Sequence, residues 1–161
     1  MTKDRYRIRE MVSADAEGVV RLAQIFEPVL TTFCQGITEE DVSTWVTDRL
    51  CLAHWAGFVA EIDGEIVGFV FCRDMQEDTN RFVFPQAHKT VYILYLLVDE
   101  AFRGQGIAHI LLHACEDLAR EWGRIGIFLD IADDNPALKL FNDLGFERLG
   151  AQVFMRKAIS R

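Results

Sequence analysis

Apolar residues recur along this chain in two rhythms, and the rhythm changes wherever glycine, proline or an acid–glycine pair interrupts it. A short extended segment around Tyr6 to Arg9 leads to Ser13, expected to cap a helix whose Val19, Leu22, Ala23 and Phe26 fall at three- and four-residue spacing. Thr38 followed by Glu39, Glu40 and Asp41 predicts a second helix with an acidic first turn, its inner stripe formed by Val42, Trp45, Val46 and Leu50. The run "GFVAEIDGEIVGFVFCRD" holds two apolar stretches around Asp63-Gly64, a dipeptide that accepts the positive φ angles of a tight hairpin turn.

The pattern shifts again from Val91 to Val98, where apolar residues occupy both alternating positions, as in a central strand buried on both faces. Before it, "MQEDTNRFVFPQAHK" has no period and contains Pro85, so an irregular connection bordering a substrate site is expected. After it, Ile107, Leu111, Ala114, Cys115, Leu118 and Trp122 form the inner stripe of a third helix that Gly123 can end. A strand "IGIFLDI" follows. Asn135 before Pro136 predicts the start of a short helix through Leu138 and Phe141, and two last strands are expected at Phe146 to Leu149 and Val153 to Lys157. Strands and helices thus intermix, which makes the fold class α/β (α+β).

With 161 residues, half of them hydrophobic, the chain suits one core and a single domain over 1–161. A net charge of -8 weighs against nucleic acid and anionic membranes as partners and favours cationic small molecules. The N-terminal segment lacks a signal peptide's apolar stretch and no run nears the roughly 20 apolar residues of a membrane helix, so a cytoplasmic location is expected. Cys34, Cys51, Cys72 and Cys115 show no C-x-x-C pair and fit reduced thiols. His109 and His113 lie four apart, yet no H-E-x-x-H and no third ligand accompany them, so no metal is expected.

What distinguishes the chain is the glycine pair where the third helix must start. A strand running through a glycine turn into a helix gathers unpaired backbone N–H groups at the positive end of the helix dipole, a place suited to an anion. Gly104 and Gly106 would let a diphosphate approach the main chain, with Arg103 adding a charged contact or anchoring the loop. The spacing matches neither G-x-x-x-x-G-K-S/T nor G-x-G-x-x-G, which argues against nucleotide hydrolysis and dinucleotide cofactors.

The segment Arg103-Gly104-Gln105-Gly106-Ile107-Ala108 resembles the pyrophosphate loop Q/R-x-x-G-x-G/A of the GNAT superfamily of N-acetyltransferases. "DNPALKLFNDLGFERLG", "VAEIDGEIVGFV" and the closing "VFMRKAI" are similar to that family's elements in its order. The resemblance implies a mixed, mostly antiparallel sheet with a splayed strand pair, flanked by helices. It also implies acetyl-CoA as co-substrate and transfer to a primary amine of a small molecule, protein or peptide by direct attack on the thioester. Leu96, Leu97 and Val98 would present backbone groups to the pantetheine arm and acetyl carbonyl, and Gly104, Gln105, Gly106, Ile107, Ala108 and His109 would hold the pyrophosphate with Arg103. Asn135 would touch the cofactor, although Asp134 fits the family's interval better. Homodimerisation is implied by the resemblance alone.

Acyl transfer needs a neutral amine, an oxyanion stabiliser and a departing thiolate. Phe141, beside the cofactor by resemblance, stands where the family often has a tyrosine as general acid, and a phenyl ring donates no proton. Tyr92 and Tyr95 are substitutes for that tyrosine, and Tyr95 is taken as the candidate. For the base, Asp130 lies in an apolar run where desolvation would raise its proton affinity, with Glu61 and Glu27 as weaker candidates. The missing tyrosine also motivates an alternative, a catalytically weak acyl-CoA-binding regulatory domain.

Overall fold

A computed structural model describes residues 6–24, 38–76 and 89–149. Packing divides the chain into two compact units, Met1–Leu129 and Asp130–Arg161. The first contains β1 (Arg7–Glu10), α1 (Ala16–Gln24), α2 (Glu39–Leu50), β2 (Trp55–Ile62), β3 (Glu65–Asp74), β4 (Thr90–Val98), α3 (Ile107–Glu121) and β5 (Gly126–Phe128). These strands form one sheet in the order β1-β2-β3-β4-β5, with antiparallel pairs up to β4 and a parallel β4–β5 pair. The mixed, mostly antiparallel sheet flanked by helices is the architecture expected from the sequence.

Local signals account for most of the element ends. Asp63 and Gly64 both have positive φ, 50° and 85°, and Ile62 pairs with Glu65 across them, so the hairpin closes through a two-residue turn. Thr38 Oγ1 accepts the Asp41 N–H at 3.2 Å while Asp41 Oδ2 accepts the Thr38 N–H at 2.7 Å, a reciprocal cap on α2. Gly123, at φ 67°, ends α3 as anticipated, its N–H bonded to Arg120 O and the Arg124 N–H to Ala119 O. Ser13, by contrast, does not cap α1. It opens a 3₁₀ turn, Ser13–Asp15, and the carboxylate of Asp15 accepts the Val12 N–H at 2.8 Å.

Alternation along the strands splits the core into two layers. Val59, Phe69 and Phe71 face α1 and α2 and pack with Val19, Leu22 and Val46. Gly68 faces the opposite way, where a Cβ would lie 3.3 Å from Ile107 of α3. Full burial of Phe71, Leu22, Leu111 and Leu112 contributes about 1.5–3 kcal/mol each from apolar area removed from water. Asp15 is the one buried charged residue among those described, 6% exposed and held by two bonds of 2.7 Å from Arg9, which also reaches Glu61 at 2.9 Å.

Two expectations about strands require correction. The run 125–131 is extended only over Gly126–Phe128, and Phe146 to Leu149 is irregular. Val153 to Lys157 lies outside the described residues, as do Phe26, Glu27 and Cys34. The second unit is described to Leu149 and carries α4 (Leu138–Asp143), which ends where Gly145, at φ 83°, lets the Phe146 N–H bond to Phe141 O.

Candidate active site

The sheet opens along β4. On one side β4 pairs with β3 from Val91 to Val98, whereas on the other β5 matches only Thr90, Val91 and Tyr92. From Ile93 onward that edge has no strand partner among the described residues. This is the splayed pair that the resemblance implied, and it leaves main-chain polar groups for another partner.

Which groups point there follows from strand parity. The Asp99 N–H bonds to Val67 O at 2.8 Å, and Leu97 O lies 3.1 Å from the position of a Cβ on Gly68, so Leu97 and Asp99 turn toward β3. Leu96 and Val98 therefore direct their N–H and C=O groups to the open edge. The expectation that Leu97 presents its backbone to a ligand is corrected by this alternation; its side chain instead packs on the core. A register shift also places Phe71 opposite Tyr95 but Cys72 opposite Ile93, leaving Leu94 as the extra residue of a bulge beside the opening.

Past Val98 the chain enters the glycine loop. Asp99 Oδ1 accepts the Ala101 N–H, a 3₁₀ turn spans Glu100–Phe102, and Arg103 Nε donates to Val98 O at 3.2 Å. Of the two roles foreseen for Arg103, anchoring is the one seen. Gly104 and Gly106 have φ of 74° and 83°, the left-handed region that favours glycine. Gly106 is the cap of α3, no side chain caps it, and its carbonyl accepts the Ile110 N–H at 3.2 Å.

The N–H groups of Gly104, Gln105, Gly106, Ile107, Ala108 and His109 have no acceptor among the described residues. Six donors thus lie at the positive end of a 15-residue helix. Among the described residues a Cβ on Gly104 would meet nothing within 4 Å, and one on Gly106 only the Tyr6 hydroxyl, at 4.0 Å. The arrangement fits a diphosphate of a nucleotide-like ligand, with an extended arm running along the β4 edge.

Sequence reasoning missed three contributors: Gly68, Tyr6 and the Leu94 bulge. Gly68 lets α3 settle close to β3 and β4, and its apolar strand context was the signal that could have marked it. Tyr6 lies on the α3 face because Arg9, three residues on, faces the Asp15 side. A bulge leaves no local mark in an all-apolar run.

Other candidates separate by environment. Tyr95 is 40% exposed on the α1/α2 face, edge-on to Trp45 at 6.2 Å, so β4 is not buried on both faces along its whole length. Tyr92 stacks on Phe128 at 5.8 Å. The Glu61 carboxylate is committed to Arg9. Arg124 makes two bonds of 2.7 Å to Asp74, fastening the approach to β5 onto the end of β3. Among the described residues no three His, Cys, Asp or Glu side chains are grouped to hold a metal ion, and exposed His113 contacts Glu116 at 3.2 Å.

In the second unit, Asp130 lies beyond the end of β5 and is exposed, so the burial inferred from its apolar neighbours is absent: the strand stops before reaching it. Asn135 is exposed, with Oδ1 accepting the Ala137 N–H at 2.9 Å, and α4 begins at Leu138 rather than directly after Asn135. Phe141 is 7% exposed and edge-on to Phe146 at 5.3 Å, a packing position in that unit.

Comparison with known proteins places this geometry in a family. The model of the acetyltransferase (GNAT) family matches residues 21–146. An N-alpha-acetyltransferase of Sulfurisphaera tokodaii is 27% identical over 146 residues, 89% of this chain and 81% of that protein. An acetyltransferase of Agrobacterium fabrum is 30% identical over 115 residues, covering 71% of this chain and 82% of that one. Among solved structures, the aminoglycoside N-acetyltransferase AAC(6')-Iy in complex with CoA shares the fold with a TM-score of 0.75 at 22% identity, over 96% of this chain and 95% of that one. An open-edged strand leading into a glycine-capped helix, within a chain matched by that family model over most of its length, makes this protein a member of the GNAT family, an acetyl-CoA-dependent acyltransferase.

Proposed function

We propose that the protein transfers the acetyl group of acetyl-CoA to a primary amine, and that the loop from Arg103 to His109 and the open edge of β4 carry the donor. The single observation that supports this most is the presence, among the described residues, of six N–H groups without an acceptor at the start of α3 beside a β4 edge where the Leu96 backbone and the Val98 N–H have no strand partner. The diphosphate is held by the N–H groups of Gly104 to His109, and the pantetheine amides complete the β4 edge as a further strand would. The Leu96 N–H, next to the bulge on the open edge, is then the donor placed to stabilise the oxyanion.

The neutral amine attacks the thioester carbonyl carbon, the C–S bond breaks, and CoA departs as thiolate while the nitrogen loses a proton. The acceptor enters over the exposed face of Tyr95, since the opposite face is filled by Ile107, Leu111 and Leu112 of α3. The Tyr95 hydroxyl is assigned as proton donor to the thiolate. Its loss is tolerable because a thiol of pKa about 8.5 also takes its proton from water. Asp130, exposed in the second unit, is kept as the candidate acid–base carboxylate. Asn135, in the second unit, is kept as a candidate cofactor contact through its side-chain NH₂, its Oδ1 being engaged.

Thiol release from acetyl-CoA across a panel of primary amines, alongside calorimetry with CoA, tests the assignment. Saturable turnover on at least one amine is expected. Tight CoA binding with no turnover on any amine would favour a regulatory domain.

A further inference from the structure

Next to the bulge, the face that carries Tyr95 is walled by aromatic rings and by guanidinium groups. Trp45 on α2 lies 5.7 Å from Trp55 and 5.3 Å from Phe71, and Trp55 lies 5.5 Å from Phe71, the cross-strand partner of Tyr95. Arg49, one turn after Trp45, places its Cζ 5.1 Å from the Trp45 ring and 5.4 Å from the Trp55 ring. Arg73, directly across from Trp55, sits 5.7 Å over the same indole. The chain carries a net charge of -8, yet the two charged groups packed on these rings are both cationic.

Arg49 is half-buried, and among the described residues its guanidinium makes no hydrogen bond and no ion pair; its partners are the two indole faces. Such stacking fixes the group through cation–π attraction while leaving its rim of N–H donors unused. A guanidinium held against two rings and preorganised in this way suits a carboxylate, which it can grip with two parallel bonds. Polycations are disfavoured at the same place by like charge.

We propose that Arg49 is a specificity-determining residue of the acceptor site, and that the acceptor is an amine bearing a carboxylate whose apolar body lies on the rings of Trp45 and Tyr95. The inference rests on the acetyl-transfer reading and adds the chemical class of its acceptor. A free amino acid and a peptide with an acidic side chain near its N-terminus share this chemistry.

The test uses the full chain with acetyl-CoA and thiol release as the readout. Acceptors are the amino acids and their carboxamides, peptides with acidic or basic residues after the N-terminus, spermidine and kanamycin. The best acceptor is expected to bear a carboxylate, and its carboxamide to fall about tenfold or more in kcat/KM, mainly through KM, as the loss of one charge-assisted contact implies. Arg49→Met, which keeps an apolar stem on the indoles, should shrink that gap to about twofold without changing the KM for acetyl-CoA. Arg49→Lys should retain part of the gap, and supplies the comparison if the methionine variant does not fold. The amino-acid and peptide arms separate the two sources. Preference of the unaltered protein for spermidine or kanamycin, or a carboxylate gap that survives in both variants, would overturn the inference while leaving acetyl transfer standing. Absence of CoA binding by calorimetry would overturn both.

Discussion

Replacing Gly106 by alanine separates the stability of the loop from its proposed task. The residue sits at φ 83°, where an L side chain meets its own backbone, so retaining that conformation costs about 1–2 kcal/mol. Among the described residues only the Tyr6 hydroxyl, at 4.0 Å, approaches the added methyl, and it adds no clash to the penalty. For a chain of this size the melting temperature should fall by about 2–8 °C. The diphosphate, however, must come close to the same main chain. Pushing it off even one charge-assisted N–H contact costs about 1.5–3 kcal/mol, which raises the Kd for CoA roughly 10- to 150-fold. Calorimetry with CoA and a thermal melt on the same sample measure both numbers. Acetylpantetheine, which lacks the diphosphate, serves as a second donor and should lose no kcat/KM. An unchanged CoA affinity in a folded Gly106→Ala protein would refute the cradle, as would an equal loss with acetylpantetheine.

Other outcomes follow from the packing. Gly68→Ala would set a methyl 3.1 Å from Leu97 O and 3.3 Å from Ile107, forcing β3, β4 and α3 apart. It should cost about 1–3 kcal/mol in urea unfolding and also weaken CoA binding. Asp15→Asn strips the charge from a buried carboxylate bonded by Arg9 and should destabilise by on the order of 3 kcal/mol. Those Arg9 bonds hold the Asp15 carboxyl below its usual range, so its contribution is present above the unfolded pKa of about 3.9 and lost as pH falls through the folded value. The asparagine variant should accordingly show a shallower loss of stability in acid. In native protein carrying Cys34→Ser, Cys51 should react quickly with a disulfide reagent, whereas Cys72 and Cys115 should react only on unfolding. Both are buried, and a hydrogen bond with the Cys72 thiol together with desolvation pushes the Cys115 thiol up. Fast labelling of either would contradict the packing.

Glycines and caps wrote much of this protein directly into its sequence. Asp63-Gly64, Gly123 and the Thr38–Asp41 pair depend only on φ preferences and hydrogen bonds within a few residues, so local chemistry was enough to fix them. The cradle was legible for the same reason: Gly104 and Gly106 lie within one turn, immediately after an apolar run. Where an element's fate hung on distant partners, the local pattern was silent or misleading. The open edge of β4 exists because β5 ends at Phe128, which also left Asp130 exposed despite its apolar neighbours. Leu96 and Val98, but not Leu97, face that edge because pairing with β3 sets the parity of their backbone groups. Arg49 came to rest on two indoles, one four residues away on its own helix and one on β2, so only the tertiary structure could bring its positive charge to the face of the sheet that carries Tyr95.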